Sequence, residues 1–393
     1  MAITKKFNTI VVGLGAMGSA ALYQLAKRNI NVLGIDRLSP PHTLGSTHGD
    51  TRITRQAIGE GDYYSPLSIR SYELFREVEK QTSATILEVT GGLIISSDSK
   101  ESSINNQLHF FDNTLAAAAR HNVRYEVLNA GEIRKRFPQF NVADDEIGYY
   151  EYDAAFLRPE RAVQAHLQLA KFLGAQLHTN EVVIGFDETD TGVSVRTNID
   201  AYHADHLILS VGPWLPQCVP SLKKHFKINR QVLYWFDISQ TYEEFLPGRF
   251  PIFIWEIQRQ KHGIYGFPAV DGPTGGVKIA TEQYEDDVTP ESVDRSVSVE
   301  EINEMYNLRV APFFPQIGRK CIKSAVCLYT VTPDSDFVVD WLPASKRVVV
   351  CSPCSGHGFK HSAAIGECIA QMVEKGESDL DISHFKLSRL LGR

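Results

Sequence analysis

The sequence predicts an α/β fold that is divided into two domains. Because the second domain is mainly antiparallel, the chain as a whole is of the α+β type. Residues 8–36 contain an apolar strand, a glycine turn, a helix and a second apolar strand, which is the βαβ unit that begins a parallel sheet. Residues 227–268 alternate apolar and polar side chains with aromatic residues, as one face of a broad antiparallel sheet does. Residues 347–373 return to strand, glycine-rich turn and helix, which places the end of the chain back in the first domain.

The elements follow in order from the apolar periodicity. In the first unit, strands at 9–12 and 31–35 flank a helix at 16–28, and the second strand ends at Asp36. Beyond residue 62 the regular alternation of strand and helix is lost, which indicates an inserted region. Further helices are predicted at 65–80, 132–137 and 158–173, and further strands at 86–95, 176–179, 182–187, 193–196 and 206–211. We expect the strands at 176–196 to form an antiparallel meander.

Length, composition and charge exclude several classes of protein. A chain of 393 residues exceeds a single ordinary hydrophobic core, and 43% apolar with 22% charged residues is typical of a globular protein. The net charge of −7 and the dispersed Lys and Arg argue against nucleic acid as a partner. No apolar run reaches the roughly 18–20 residues of a membrane-spanning helix, and no signal peptide is recognised. We therefore expect a protein without a membrane partner.

The six cysteines do not form the dense framework of a disulfide-stabilised secreted domain, so a reducing, cytoplasmic setting is expected. Cys351 and Cys354 form a single C-x-x-C, but they precede a glycine turn rather than open a helix. Redox or metal use of this pair is a minor alternative, and we predict no metal site.

Gly13, Gly15 and Gly18 form a G-x-G-x-x-G motif between the first strand and its helix, where a backbone without side chains can approach a pyrophosphate. Asp36 lies about 20 residues further on, where a carboxylate hydrogen-bonds a ribose hydroxyl. The combination predicts a Rossmann-like dinucleotide-binding domain. The motif alone leaves NAD and FAD open, although its position at the start of a long chain favours a flavoprotein.

Two further segments carry cations in a polar or glycine-rich context. In residues 42–61, HTLGSTHGDTRITRQAIGEG, Arg52 and Arg55 lie three apart and could share one helix face or one edge of a pocket that holds anions. The alternative is a solvated loop. In residues 355–361, SGHGFKH, Lys360 begins a helix, an unfavourable place for a cation in the helix dipole. It either points to solvent or binds a substrate carboxylate.

Four motifs in order along the chain resemble the monomeric sarcosine oxidase and N-methyltryptophan oxidase family. They are PPHTLGSTHGDTRITR (40–55), CLYTVTPDSDFVVD (327–340), SGHGFK (355–360) and DISHFKLSR (381–389). The resemblance implies the fold of the D-amino-acid-oxidase group, with a Rossmann-like FAD-binding domain and a second domain built on a large mixed or antiparallel sheet. We assign residues 1–85, 150–220 and 322–393 to the FAD-binding domain, and 86–149 with 221–321 to the substrate domain.

The resemblance also implies roles for single residues. Cys327 matches the cysteine whose sulfur is bonded to the flavin 8α-methyl carbon; its alternative is a small buried hydrophobic residue. Lys278 matches the lysine that assists the reaction of the flavin with oxygen. His48 and Arg52 match residues that lie against the flavin, Arg55 and Lys360 the pair that grips the substrate carboxylate, and Tyr265 and Tyr329 aromatic residues of the pocket. Close approach of the cofactor is expected at Gly356, Gly358 and Phe359.

The chain departs from the family pattern at two positions. Glu282 stands four residues after Lys278, where the sarcosine and N-methyltryptophan members have a histidine, and Ile58 replaces a tyrosine. An acid in place of an imidazole changes the charge and the hydrogen bonds beside the substrate amine. Sarcosine itself is therefore not the expected substrate, and Glu282 is a candidate for taking the proton from the amine.

The resulting hypothesis is a monomeric, FAD-dependent enzyme that oxidises the C–N bond of an N-methyl or cyclic amino acid and reduces O2 to hydrogen peroxide. Three alternatives remain open from the sequence: a dehydrogenase that passes electrons to a quinone or a carrier protein, a non-catalytic flavin-bound subunit or sensor, and an NAD-dependent dehydrogenase.

Overall fold

The computed structural model describes residues 5–97, 103–104, 107–257 and 262–392. Its helices are α1 (Ala16–Lys27), α2 (Ser65–Thr82), α3 (Phe110–Arg120), α4 (Ala130–Arg136), α5 (Pro159–Phe172), α6 (Leu215–Cys218), α7 (Val299–Met305), α8 (Ser362–Lys375) and α9 (Ser388–Leu391). Its strands are β1 (Lys5–Val12), β2 (Val32–Asp36), β3 (Arg52–Thr54), β4 (Leu87–Val89), β5 (Gly92–Ser97), β6 (Ser103–Ile104), β7 (Gln107–Leu108), β8 (Tyr125–Asn129), β9 (Glu146–Glu151), β10 (Ala155–Leu157), β11 (Gln176–Thr179), β12 (Val183–Thr189), β13 (Gly192–Thr197), β14 (Ala201–Leu209), β15 (Lys227–Phe236), β16 (Ile252–Trp255), β17 (Ile264–Gly266), β18 (Val277–Thr281), β19 (Cys321–Val331), β20 (Val338–Trp341) and β21 (Val348–Ser352).

The first sheet grows from the N-terminal βαβ unit. Its order is β11-β2-β1-β14-β13-β12, and β21 pairs with the C-terminal half of β14 and carries β20 on its other edge. The strands β11, β2, β1, β14 and β21 are parallel, whereas β12 and β13 are antiparallel. This arrangement brings the carboxyl ends of β1, β2, β14 and β21 to one edge, where ligands bind in open α/β sheets.

Helices α1, α5 and α8 pack together on this sheet, and α2 packs against α5 and α8. The crossing of α1 and α8 is close, because a Cβ on Gly366 would lie 2.6 Å from the carbonyl carbon of Ala20. The apolar faces of these helices and the sheet form one continuous core. This core holds the N-terminus of α1 in a fixed position relative to the sheet edge.

The second sheet also has eight strands, in the order β19-β15-β18-β17-β16-β5-β9-β8. All neighbouring pairs are antiparallel except β16 with β5, which are parallel. Its core is rich in aromatic rings, among them Phe140, Phe250 and Trp255. The predicted fold class is therefore confirmed: a parallel α/β sheet is joined to a large, mainly antiparallel one. None of the helices in the described ranges is both long and apolar enough to cross a membrane.

Two local predictions were wrong. Strand β11 does not belong to an antiparallel meander, since it pairs in parallel with β2, while β12, β13 and β14 form the meander. The reason is that α5 precedes β11, packs on α1 and returns the chain in the direction of β2. The strand predicted at 86–95 is interrupted at 90–91, and its two parts, β4 and β5, join different sheets.

Candidate active site

The turn between β1 and α1 has the conformation that the glycine motif predicts. Gly13 adopts a φ of +85°, and a Cβ there would lie 2.5 Å from Ser210 O. A Cβ on Gly18 would lie 1.7 Å from Gly13 O, so a side chain at either position would force the backbone apart. Gly15 caps α1 and lines a cavity of about 380 Å³. The main-chain N–H groups of this helix end favour an anion.

Asp36 lines the same cavity at the end of β2. Its Oδ2 accepts a hydrogen bond from Leu14 N at 2.7 Å, and its Oδ1 accepts one from Leu38 N at 2.8 Å. Burial raises the pKa of this carboxyl although both hydrogen bonds oppose the shift. Each oxygen retains a lone pair for a second donor, which suits the predicted contact with a ribose hydroxyl.

Unsatisfied polar atoms along the cavity fit a bound dinucleotide. Ser46 and Ser352 line it, and their buried Oγ atoms have no hydrogen-bond partner in the part of the chain that the structure describes. His48 does not line this cavity, but its buried Nε2 is also without a partner among the described residues. Burial and the charge of Arg52 lower the pKa of His48 to about 3, so its ring is neutral. Buried polar atoms are normally paired, so this surface suits a polar ligand.

A second cavity, of about 510 Å³, brings together residues that are distant in sequence. The predicted site residues that line it are Arg52, Arg55, Tyr265, Glu282, Tyr329, Gly356, Phe359 and Lys360. Arg52 belongs to β3 and Arg55 follows it, so the two arginines share a pocket wall and not a helix face. His48, Lys278, Cys327 and Gly358 do not line this cavity. Ile58 does not line it either, because it is packed in the apolar core of the first domain.

Glu60 joins the two cations predicted to hold a carboxylate. Its Oε2 lies 2.5 Å from Arg55 Nη2, and its Oε1 lies 3.3 Å from Lys360 Nζ. All three side chains are buried, and none is more than 6% exposed. Although burial opposes its ionisation, the two cations hold the pKa of Glu60 well below its usual range. The three groups therefore carry a net charge of +1, which suits one carboxylate of a ligand.

Lys360 lines the cavity and is buried, so it does not point to solvent. Its Nζ also donates to His357 O at 2.9 Å. Burial lowers the pKa of Lys360 to about 8, with Glu60 opposing the shift. The Arg55 Nη1 donates to Ala57 O at 2.5 Å, while Arg55 Nε has no hydrogen-bond partner in the described ranges.

Glu282 lies in the wall of the cavity just beyond β18. Burial, and after it the repulsion of the Glu60 carboxylate, raises the pKa of Glu282 to about 8. The Tyr284 hydroxyl donates to Glu282 Oε2 at 3.2 Å. The side chain is therefore mainly protonated at neutral pH, and it becomes a base when the pH passes about 8.

Lys278 is buried behind the residues of the pocket wall. Its Nζ donates to Gly49 O at 2.8 Å and to Thr51 O at 2.7 Å, and it lies 4.1 Å from the centre of the Phe267 ring. Burial and the neighbouring Arg52 lower the pKa of this amine well below its usual value. A buried lysine whose pKa is lowered in this way is typical of a functional site.

Arg52 links this lysine to the predicted flavin-binding cysteine. Its Nη1 donates to Thr51 O at 2.8 Å, and its Nη2 donates to Ser46 O at 2.9 Å and lies 3.7 Å from Cys327 Sγ. Cys327 is 1% exposed, and burial raises the pKa of its thiol while Arg52 lowers it. Cys327 thus lies between Ser46, in the wall of the smaller cavity, and Arg52, in the wall of the larger one.

The glycine-rich segment before α8 approaches both cavities. Gly356 has a φ of +88°, and a Cβ on Gly358 would lie 1.8 Å from Pro353 O. The motif therefore requires glycine at both positions. Gly356 and Phe359 line the larger cavity, and Pro353 and Cys354 line the smaller one. Within the described ranges no group of three His, Cys, Asp or Glu side chains could hold a metal ion.

Three residues of the site, Glu60, Tyr284 and His357, were missed in the sequence. Glu60 could have been found as the one acid between two glycines in the basic segment 42–61, while His357 gave no signal that separates it from a loop residue. His357 lines the larger cavity, and burial lowers the pKa of its ring to about 4. Its Nε2 lies 3.1 Å from Ser335 O, which orients the ring.

The chain is similar to known proteins over nearly its whole length. The profile of a family described as FAD dependent oxidoreductase matches residues 8–372. Monomeric sarcosine oxidase of Streptomyces avermitilis is 38% identical over 385 residues, which are 98% of each chain. N-methyl-L-tryptophan oxidase of Yersinia pestis is 32% identical over 384 residues, 98% of this chain and 99% of that one.

Solved structures show the same fold at lower identity. The open form of NikD, described as an unusual amino acid oxidase, superposes with a TM-score of 0.83 at 22% identity and covers 98% of each chain. L-proline dehydrogenase from P. horikoshii superposes with a TM-score of 0.82 at 19% identity and covers 99% of each chain.

Proposed function

The chain belongs to the family of FAD-dependent oxidoreductases, and we propose that it oxidises the C–N bond of a secondary amino acid to an imine. The observation that carries this proposal is the 510 Å³ cavity, which combines a net positive group for a carboxylate with a carboxyl group of raised pKa for an amine. When bound, FAD supplies the acceptor for the two electrons and the hydrogen that leave the substrate carbon. Water then hydrolyses the imine.

Arg55, Glu60 and Lys360 bind the substrate carboxylate. Lys360 Nζ donates to Glu60 Oε1 and to His357 O, so its third N–H is the donor that a second carboxylate can take while Glu60 stays in place. Because the group is buried, its ion pairs are only weakly screened by salt, and the substrate is held by charge-assisted hydrogen bonds. This anchor fixes the orientation of the α carbon.

Glu282 removes the proton of the substrate amine. Only the neutral amine has the lone pair that assists loss of the α hydrogen, so the protonated amine must be deprotonated first. A carboxylate whose pKa is about 8 takes this proton more readily than an ordinary glutamate does. The Tyr284 hydroxyl, 3.2 Å from Glu282 Oε2, orients the group.

Tyr265 and Tyr329 are aromatic residues of the cavity wall, and we assign them to the substrate pocket. Both are half-buried, and loss of contact with water is the main cause that raises the pKa of each hydroxyl above its usual value, so both remain neutral. The volume of about 510 Å³ accommodates a side chain or ring larger than the methyl and methylene groups of sarcosine. We therefore propose an N-methyl or cyclic amino acid with a substantial side chain or ring.

Lys278 assists the reaction with oxygen. Its buried amine lies outside the substrate cavity, yet it shares the Thr51 carbonyl with Arg52. A cation in this position stabilises the negative charge that develops as oxygen accepts an electron. The product of this step is hydrogen peroxide.

Cys327 is the proposed point of covalent attachment of FAD. The support is its position next to the wall of the dinucleotide-binding cavity, since Sγ lies 3.4 Å from the carbonyl oxygen of Ser46, a residue of that wall, and 3.7 Å from Arg52 Nη2. Burial raises the pKa of this thiol, and Arg52 opposes the rise and so favours the thiolate, which is the reactive form of a cysteine. We further propose that the enzyme is a cytoplasmic monomer.

Anaerobic mixing of the purified protein with a panel of N-methyl and cyclic amino acids tests the function. At least one of them is expected to bleach the yellow flavin within one turnover, and air should then restore the colour with one peroxide for each imine formed. Absence of bleaching by every member of the panel would contradict the proposal. Bleaching without peroxide formation in air would identify a dehydrogenase instead.

A further inference from the structure

The turn 49–51 is held from two opposite sides. On one side, Lys278 Nζ donates to the carbonyl oxygens of Gly49 and Thr51, at 2.8 Å and 2.7 Å. On the other side, Glu160 Oε1 accepts hydrogen bonds from Gly49 N at 2.7 Å and from Asp50 N at 3.1 Å. The lysine and the glutamate therefore hold the peptide group between Gly49 and Asp50 from its carbonyl and its N–H end, and each makes one further hydrogen bond to the turn.

The backbone of this turn needs such support. Gly49 has a φ of +98° and Asp50 a φ of +68°, and the left-handed region is unfavourable for a residue with a side chain. The Asp50 carboxylate also pairs with Lys323 Nζ at 2.6 Å, but this pair is partly exposed and contributes little. Glu160 is the second residue of α5, a helix packed into the core, so its carboxylate is the rigid support.

A movement of the turn would displace two functional cations together. Thr51 O accepts from Lys278 Nζ and also from Arg52 Nη1, at 2.8 Å. Arg52 in turn reaches Ser46 O and Cys327 Sγ. The turn that Glu160 holds is thus bonded directly to Lys278, and it is connected through Thr51 O and Arg52 to the proposed site of cofactor attachment.

We propose that Glu160 is a positioning residue for the oxygen reaction, because it fixes the turn 49–51 that holds the ammonium of Lys278. The inference rests on the role proposed for Lys278. It assigns Glu160 no contact with substrate and no part in the oxidation of the amino acid. Removal of the glutamate should therefore slow reoxidation of the reduced protein more than it slows reduction by the substrate.

The experiment separates the two half-reactions in the flavin-loaded, full-length protein. The flavin is reduced with dithionite under anaerobic conditions and mixed with oxygenated buffer, and the rate constant with O2 is recorded. Glu160→Ala is expected to lower this constant about 10-fold or more, since two charge-assisted hydrogen bonds to the turn are lost. Lys278→Met should lower it by about 10²–10³-fold.

Conservative variants show whether position is the cause. Glu160→Gln keeps the side-chain oxygen that accepts from both N–H groups, so it should restore most of the rate. Glu160→Asp keeps the charge but withdraws the oxygen from the turn, and it should be slow. Slow reoxidation of the Gln variant together with normal reoxidation of the Asp variant would mean that charge and not position matters, which would overturn the proposal.

Glu132→Ala is the matched control, since Glu132 is an exposed acid in the first turn of α4 that accepts a backbone hydrogen bond from Asn129 N at 2.8 Å. It should reoxidise like the native protein. If Lys278→Met reoxidises normally, the role of Lys278 is wrong. If Lys278→Met is slow but Glu160→Ala is as fast as the native protein, only the inference on Glu160 is wrong.

Discussion

The substitution Glu282→Gln should change the pH dependence of substrate oxidation more than its maximum. Glutamine has nearly the same shape and can still accept from the Tyr284 hydroxyl, which lies 3.2 Å from Glu282 Oε2. It cannot take a proton, however. The substitution therefore removes the proposed base while it preserves the packing of the cavity wall.

The size of the effect follows from the pKa of Glu282, which burial and the Glu60 carboxylate raise to about 8. About one tenth of the native molecules carry an ionised Glu282 at pH 7, and about nine tenths carry one at pH 9. The rate constant of flavin reduction at saturating substrate should therefore rise about tenfold over this range. An ordinary glutamate would already be ionised at pH 7 and would give no such rise.

Stopped-flow reduction under anaerobic conditions measures this rate constant separately from the dissociation constant of the substrate. The separation matters because the pKa of Lys360 is also about 8, so this cation is lost over the same pH range. Its loss should weaken substrate binding, whereas ionisation of Glu282 should raise the reduction rate. The two groups lie in one cavity and influence each other, so the observed values belong to the pair.

Glu282→Gln should show a low reduction rate constant at pH 7 to 9 without the tenfold rise. An identical pH profile in the native protein and the variant would refute the role of Glu282. So would a native rate constant that is independent of pH in this range, because the raised pKa requires a change there.

Three further outcomes are expected. Acid precipitation should leave the yellow colour with the native polypeptide and release it from Cys327→Ser; free flavin from the native protein would contradict the covalent link. Lys360→Met should raise the dissociation constant of the substrate about 30-fold or more in binding titrations, because Glu60 would then cancel Arg55; an unchanged constant would exclude Lys360 from the carboxylate site. Glu60→Gln should lower the free energy of unfolding in urea by about 3–5 kcal/mol, since two buried cations lose their partner; a loss below about 1 kcal/mol would contradict the buried ion group.

Features that depend on local sequence could be predicted well. The glycine turn, its helix and the acid at the end of β2 are encoded within 8–36, and the structure gives Gly13 and Gly18 the close contacts that require glycine. The large antiparallel sheet was also foreseen from the alternation in residues 227–268. Strand β11 was misplaced because its partner, β2, is chosen by the packing of α5 and not by the strand itself.

The site could be predicted only in part because its contacts are distant in sequence. Lys360 meets Glu60 across 300 positions, and Lys278 meets Gly49 across 229. Short motifs indicated the cations Arg55 and Lys360, but no local pattern shows that the carboxylate of Glu60 neutralises one of these two charges. A local motif also misled the prediction at Ile58. This residue stands where the family has a tyrosine, which suggested a changed pocket, but its side chain lies in the apolar core.

The most direct test of amino acid oxidation compares two amines that differ only in the carboxylate. The best amino acid of the panel and its decarboxylated analogue are each mixed with the protein under anaerobic conditions, and bleaching of the flavin is followed. The cavity with Arg55, Glu60 and Lys360 predicts fast bleaching by the amino acid and bleaching at least about 100-fold slower by the analogue. Equal rates with both amines, or no bleaching with either, would contradict the proposed function.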